Sequence, residues 1–146
     1  MFDGLVAFFA GAQWKFESSA ALQTVSFVFD GKTGPWTTYV KLFEAEHQIA
    51  VYGVLPFTVD DDQRLAAAEL VTRINHGLVI GNFELDFSDG EVRYKTSLDF
   101  EGEALSEKLL IQLVRANLAI VDAYLPAFIA LAIRRLAPAA ALALVE

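Results

Sequence analysis

The spacing of apolar residues along the chain changes several times, and each change predicts a different element. Residues 2–13 have apolar side chains at helical spacing, which predicts an amphipathic first helix. Further on the period becomes two and β-branched and aromatic residues dominate, which predicts strands at Val25 to Asp30, Trp36 to Phe43 and Gln48 to Leu55. The connections between these strands are too short for crossovers, so we expect an antiparallel meander.

A second helix is predicted after Pro56, which should end the third strand. Asp60 is the expected N-cap and Gly77 the expected C-terminal stop. The apolar face of this helix comprises Leu65, Ala67, Leu70, Val71 and Ile74.

The dipeptide Asp89-Gly90 predicts a two-residue type I′ hairpin in the next segment. This turn places apolar pairs on one face and opposite charges on the other, and a shift by one residue would exchange the faces. The expected pairs are Phe87 with Val92, Leu85 with Tyr94, Phe83 with Thr96, Asp86 with Arg93, and Glu84 with Lys95.

A long last helix is predicted from Glu107 to about Arg135, with Ser106 as its cap and Pro126 as a kink or break. The alanine-rich tail, residues 138–146, is expected either to add a short helix or to remain mobile. The predicted fold is α+β in the order α-βββ-α-ββ-α, with an antiparallel sheet flanked by helices in a single domain over residues 1–146.

Composition narrows the functional classes. The chain is 55% apolar with 12 phenylalanines, and part of this apolar surface is expected at an association interface. A net charge of -8 argues against nucleic-acid binding, which requires clustered Lys and Arg. The absence of cysteine removes disulfides, thiolate zinc sites and cysteine nucleophiles, and it fits a cytoplasmic protein.

No membrane span is expected. The apolar stretch 118–133 is shorter than the ~20 residues that cross a bilayer, and it contains Asp122 and Pro126. The apolar start of the chain carries Asp3 and lacks the basic region of a signal peptide, so it is predicted to be the first helix.

No catalytic, metal or cofactor site is predicted. The run Asp60-Asp61-Asp62 is interpreted as helix capping, because adjacent side chains at a helix start point in different directions. His47 and His76 lack the neighbours that a metal site or a general base requires.

Two pairs of polar or aromatic residues keep alternative interpretations. Asn75 and Asn82 are expected to bond the local backbone, with a ligand as the alternative. Trp36 and Tyr39 are either core residues of the sheet or contacts for a partner, since aromatic residues serve both purposes.

Five segments carry characteristic combinations of turn, cap and strand residues. They are Val51-Tyr52-Gly53-Val54-Leu55-Pro56, Arg73-Ile74-Asn75-His76-Gly77-Leu78, Ile80-Gly81-Asn82-Phe83-Glu84-Leu85-Asp86, Asp89-Gly90-Glu91-Val92-Arg93-Tyr94 and Tyr124-Leu125-Pro126. Together they resemble the YbjN family, the bacterial sensory transduction regulators, which share the fold of type III secretion chaperones. The resemblance extends from about Phe27 to Phe128. It implies a small antiparallel sheet flanked by helices, frequent dimerisation, no cofactor and no known catalytic residue.

The leading hypothesis is a non-enzymatic chaperone-like or adaptor protein that binds a protein or peptide partner through a sheet edge or an apolar groove, as a homodimer. By analogy with secretion chaperones, Leu65, Leu70 and Val71 are the expected dimer contacts. The alternative is a sensory domain that binds a small molecule between sheet and helices. An enzyme assembled from scattered Asp, Glu and His is the third hypothesis.

Overall fold

A six-stranded antiparallel sheet carries helices on one face in the computed structural model, which describes residues 1–146. The strands lie in the order β1-β2-β3-β4-β6-β5. Their bounds are β1 Glu17–Ser19, β2 Thr24–Gly31, β3 Gly34–Phe43, β4 Gln48–Thr58, β5 Asn82–Leu85 and β6 Glu91–Asp99, and the helices are α1 Phe2–Gly11, α2 Arg64–Gly77, α3 Glu107–Ala132 and α4 Pro138–Ala143. The predicted fold class is therefore confirmed, with β1 and α4 as additions to the predicted order.

The predicted meander is formed by β2, β3 and β4, but β4 does not end at Pro56. The strand continues to Thr58, and its pairing with β6 shifts between Val54 and Thr58. Proline is tolerated at such irregularities because no ladder hydrogen bond is required of it there. The prediction that Pro56 ends the strand was wrong for this reason.

The predicted register of the β5–β6 hairpin was wrong by two residues. Leu85 lies opposite Val92 and Phe83 opposite Tyr94, so each apolar residue stays on its predicted face. A shift of two preserves the alternation of faces, and the pattern therefore could not detect it. Phe87, expected to face the core, is 55% exposed in the loop.

The Asp86 side chain explains the longer loop of this hairpin. Its Oδ1 accepts hydrogen bonds from the Ser88 amide at 2.8 Å and the Ser88 hydroxyl at 2.6 Å, forming a local turn before Gly90 is reached. Gly90 has φ +80 and its carbonyl accepts from the Val59 amide at 2.8 Å, which ties the loop to the end of β4.

The start of α2 also differs from the prediction. A 3₁₀ turn, Asp61–Gln63, precedes the helix, and Asp60 makes no side-chain capping bond. Asp61 instead pairs with Arg64 at 3.0 Å, and Asp62 pairs with Arg135 at 3.1 Å. Asp61 therefore links the 3₁₀ turn to the first residue of α2, and Asp62 links it to the residues that follow α3.

Helix α3 begins as predicted, with the Ser106 hydroxyl accepting from the Leu109 amide at 3.1 Å. It runs through Pro126 without a break, and the residues beside that proline, Ala127 and Phe128, are fully buried. The packing of this segment against the core offsets the loss of the backbone hydrogen bond that proline cannot donate. The alanine-rich tail that follows α3 forms α4. Of the two alternatives for this tail, a short helix or a mobile segment, the short helix is the one observed.

A buried asparagine anchors α3 to the middle of the sheet. Asn117 Nδ2 donates to the carbonyls of Val51 at 2.9 Å and Tyr94 at 3.0 Å, which belong to β4 and β6. A Cβ atom at Gly53 would lie 2.6 Å from Asn117 Oδ1 and 2.7 Å from Val121 Cγ2. The glycine therefore allows the helix to cross close to the sheet.

By length and composition α3 is also the one helix able to cross a membrane, with a mean hydropathy of 1.5 over its most apolar window. Its apolar stripe packs against the sheet, however, and 44% of that window is buried. A core helix of a water-soluble protein has these properties.

Candidate functional site

The sheet face opposite the helices is open. Apart from the small, buried Ala50, its side chains are half-buried or exposed, in contrast to the mostly buried residues that alternate with them along each strand. Tyr39 is 40% exposed and Val28 is 67% exposed on this face. An uncovered sheet face with aromatic and aliphatic side chains is a surface on which a partner can pack.

A shallow trough of about 470 Å³ crosses the open face beside β1. Its floor contains Tyr39 and Tyr52, and its walls add serine and threonine hydroxyls and the side chains of Lys41 and Arg93. The Arg93 guanidinium lies over the Tyr52 ring, 4.4 Å from the ring centroid. This stacking holds the arginine flat on the sheet and leaves the Tyr39 ring open to contact.

The charges on the open face are paired through Glu84, which corrects the predicted pairing of Asp86 with Arg93. Glu84 accepts from Arg93 Nε at 2.9 Å and from Lys95 Nζ at 3.0 Å. Partial burial acts to raise the pKa of Glu84, but its bonds to Lys95 and Arg93 together bring that pKa below its ordinary value. The cluster is therefore a structural ion network between β5 and β6.

At the β5 edge of the sheet, Asn75 of α2 occupies the outward backbone groups of Phe83. Asn75 Oδ1 accepts from the Phe83 amide at 2.8 Å, and Asn75 Nδ2 donates to the Phe83 carbonyl at 3.1 Å. One side chain thus occupies both outward backbone groups of that residue. The predicted local bonding of Asn75 is confirmed, and so is that of Asn82, which donates to the same carbonyl at 3.3 Å.

The opposite edge of the sheet is only partly covered. In β2 the odd-numbered residues bond β3, because Gly31 faces Gly34 across the turn and Gln23 accepts from the Leu42 amide at 2.9 Å. The even-numbered residues therefore direct their backbone groups outward. Strand β1 pairs only as far as Ser26, so Val28 and Asp30 keep outward N–H and C=O groups without a neighbouring strand.

A notch of about 700 Å³ lies along this free part of β2, where the chain turns away before β1 begins. Its lining includes Lys15, Phe16, Phe27, Val28 and Tyr39. Apolar side chains thus flank a row of free main-chain donors and acceptors. This combination binds extended polypeptide in known peptide-recognition modes.

The two aromatic candidates are separated by the alternation of β3. Trp36 is 2% exposed and packs against Phe29 with ring centroids 5.0 Å apart, so it is a core residue of this chain. Tyr39 lies on the open face and lines both the trough and the notch. Sequence reasoning missed Val28 as a contact residue, since exposure on a sheet edge has no signal in local composition, and it assigned Arg93 only to an ion pair.

The three residues expected at a dimer contact do not share a surface. Leu70 is fully buried and Val71 is 9% exposed, so both face the core. Leu65 is 80% exposed on the outer side of α2. Among the three, Leu65 is available to a second copy without rearrangement of the helix.

No group of three or more His, Asp or Glu side chains is placed to hold a metal ion. Local hydrogen bonds explain the other carboxyl shifts. The Ser88 hydroxyl and amide lower the pKa of Asp86 within a turn, and the Glu101 amide together with Gln48 on the neighbouring strand lowers that of Asp99. Asp86 lies in a loop and Asp99 at a strand end, and the hollow beside Asp99 adds Lys95 and Tyr52 but no second acid and no histidine.

A family model, YbjN, described as "Putative bacterial sensory transduction regulator", matches residues 2–130. No curated protein matches the chain.

Three solved structures share the fold at low sequence identity. The crystal structure of YbjN from E. coli has a TM-score of 0.66 at 15% identity, and the similarity covers 84% of this chain and 86% of that one. The HopA1–SchA chaperone–effector complex contains a chain with a TM-score of 0.52 at 18% identity, covering 82% and 88%. The ExsC–ExsE complex contains one with a TM-score of 0.51 at 15% identity, covering 83% and 86%.

Proposed function

The chain belongs to the YbjN family, and we propose that it is a non-enzymatic, chaperone-like or regulatory protein that binds an extended segment of a protein partner. The observation that carries this proposal is the free edge of β2 beside the notch. Structures of this fold occur in complexes with a second protein, as in the chaperone–effector pair, which supports a protein rather than a metabolite as the partner.

The free edge specifies how the partner binds. Val28 and Asp30 each offer one N–H and one C=O, so a partner strand extends the sheet in line with β1. Alternate side chains of that strand lie over the open face, next to Val28 and Tyr39, where aliphatic or aromatic residues bury apolar area. A basic residue opposite Asp30 adds a favourable charge contact.

A substitution at the edge tests this mode of binding. Val28→Pro removes the outward N–H and leaves the ladder with β3 intact, because the Val28 amide does not bond β3. Val28→Thr is the matched control, since it keeps the N–H and the β-branched side chain. Peptides selected from a randomised library against the wild-type chain should bind Val28→Thr within about threefold and Val28→Pro at least about tenfold more weakly.

The proposal fails if the selected peptides bind both variants equally while circular dichroism shows both to be folded. Equal binding would mean that the main chain of β2 takes no part in recognition.

We further propose that two copies associate through the outer side of α2, with Leu65 at the contact, and that the protein works in the cytoplasm without a cofactor. An aliphatic side chain that is 80% exposed supports such a contact. Light scattering should show a dimer for the wild type and a monomer for Leu65→Lys. A wild-type monomer at high micromolar concentration would end this part of the proposal.

The second candidate function is small-molecule sensing, and a cleft between α1 and the start of α3 favours it. The cleft has a volume of about 470 Å³ and is lined mainly by apolar side chains, among them Leu5, Phe8, Phe100 and Leu110. A thermal-shift screen with apolar metabolites tests it. A stabilising compound whose effect disappears in Phe8→Ser would favour this function, and a screen without any shift would count against it.

A further inference from the structure

The segment after α3, residues 136–146, lies beyond the part matched by the family model and still packs against the core. We name it the strap. Its helix α4 contacts α2 and α3 about equally, and more extensively than those two helices contact each other. The strap therefore occupies a groove between α2 and α3.

A small residue sits at the bottom of this contact. Ala141 is fully buried, whereas Ala140 and Ala143 on the same helix are exposed. Leu142 and Val145 are half-buried against the core on the flanks. Small residues at a helix contact allow the axes to approach closely, so the groove accepts a helix that presents an alanine between aliphatic side chains.

Few polar contacts hold the strap in the groove. A six-residue helix has little stability of its own, because nucleation costs more than so few bonds return. Its side-chain hydrogen bond runs 2.7 Å from Tyr124 to Glu146, and an exposed ion pair between Arg135 and Asp62 lies just before it. Exposed pairs of this kind contribute little.

The chain reversal between α3 and the strap is held by a backbone hydrogen bond. The Leu136 amide donates to the Ala130 carbonyl at 3.0 Å, which secures the reversal of the chain against the end of α3. Arg135 has φ +57, a conformation that side-chain-bearing residues adopt at a cost. The backbone bonds at the end of α3 do not involve residues 137–146, so departure of these residues from the groove would leave those bonds intact.

We propose that the groove between α2 and α3 is a helix-docking site, occupied in this chain by its own strap and open to a helical segment of a protein partner that replaces it. The partner helix carries the chemistry of the strap, with alanine facing the groove and aliphatic residues one and four positions later. The site lies on the helical side of the sheet, opposite the open face, so it is independent of strand binding at β2.

The competition has a measurable consequence. A partner helix binds only the fraction of molecules whose strap is open, and if that fraction is about 1%, the apparent affinity is weakened about 100-fold. Expelling the strap from the full-length chain should therefore strengthen binding of a helix supplied in trans.

The test uses the full-length protein and a fluorescent peptide with the sequence of residues 136–146. Ala141→Arg should expel the strap, because the buried position has no room for the longer charged side chain. Ala140→Arg is the matched control at an exposed neighbouring position. By fluorescence anisotropy, Ala141→Arg should bind the peptide at least tenfold more tightly than either the control or the wild type, and a peptide carrying the same arginine should not bind.

Hydrogen exchange verifies that the perturbation is local. Amides of α4 should lose protection in Ala141→Arg while those of α2 and α3 keep it. Equal peptide binding by all three proteins would overturn the proposal, and so would a variant that forms dimers and binds no peptide.

A milder variant keeps the test decisive if Ala141→Arg does not fold. Glu146→Ala in the full-length chain removes the hydrogen bond that holds the strap to Tyr124, whereas the peptide keeps its own Glu146 and still accepts from Tyr124. The variant should bind the peptide about twofold to fivefold more tightly than the wild type, in keeping with the loss of one exposed hydrogen bond. Unchanged binding would refute the strap as the competing ligand.

Discussion

Asn75→Ala should destabilise the protein by about 2 kcal/mol, because one side chain satisfies both outward backbone groups of Phe83. Each bond contributes about 1 kcal/mol, and both groups are left on a half-buried strand edge. For a chain of this length the loss corresponds to a fall in melting temperature of about 4–8 °C. Differential scanning calorimetry and urea unfolding measure it.

Asn82→Ala is the matched control, since Asn82 also donates to the Phe83 carbonyl, at 3.3 Å, but does not accept from its amide. We expect it to cost less than about 0.5 kcal/mol. The reasoning fails if the two variants lose equal stability, or if Asn75→Ala loses less than about 0.5 kcal/mol. Either result would mean that water bonds the Phe83 amide and carbonyl as well as Asn75 does.

Asn75→Asp adds a pH test of the same geometry. One oxygen of a carboxylate at this position keeps the bond from the Phe83 amide, which lowers its pKa, while the other faces the Phe83 carbonyl and the C-terminal end of α2. We expect the repulsion at the second oxygen to dominate, so the folded-state pKa should lie above the unfolded value of about 3.9. The hydrogen bond of the protonated form is then present at low pH and lost as pH rises through the folded pKa. The stability gap to the wild type should narrow from pH 7 to pH 4, and a constant gap would contradict the geometry.

Three further outcomes follow from particular contacts. Gly90→Ala should lower the free energy of unfolding by about 3 kcal/mol, because the added Cβ would collide with the Val59 carbonyl. Gly102 has a similar positive φ but open space around it, so Gly102→Ala should lower it by only about 1 kcal/mol. Equal losses in urea unfolding would contradict this. Asn117→Asp should lower the free energy of unfolding by about 3 kcal/mol or more, because it buries a carboxyl group against two carbonyls. Asn117→Leu should lower it by less than about 1.5 kcal/mol, because those carbonyls already lie within the β4–β6 ladder. Similar losses for the two variants would refute the argument. Burial and the carboxylate it bonds raise the pKa of Tyr124 to about 12, so its stabilising bond is intact below pH ~10 and is lost as pH rises through about 12. Absorbance titration should lose this late-ionising tyrosine in Tyr124→Phe, and an unchanged curve would count against the assignment.

Much of the fold could be predicted because local patterns carry it. Strand alternation identified the meander, and the Ser106 cap identified the start of α3. The hairpin register escaped prediction because a shift of two residues leaves every side chain on its face, and the Asp86 turn then determines the loop length. The β1 strand, Glu17–Ser19, has too few residues for a periodic signal.

The sequence predicted the type of site but not where on the sheet it lies. Composition indicated an association surface, and Tyr39 was among the proposed contacts. That Val28 retains free backbone groups depends on where β1 stops, and that Phe83 has its outward groups satisfied depends on Asn75 reaching from α2. Both facts concern residues brought together by the sheet order.

By itself the sequence determined which residues alternate, which form helices and which classes of chemistry lack the necessary side chains, because periodicity, capping and residue type act over a few neighbouring positions. Only the tertiary structure decided which sheet edge is free, which apolar residues are buried and where the segment after α3 packs. These outcomes depend on contacts between residues far apart in the chain, and no local pattern encodes which of them forms.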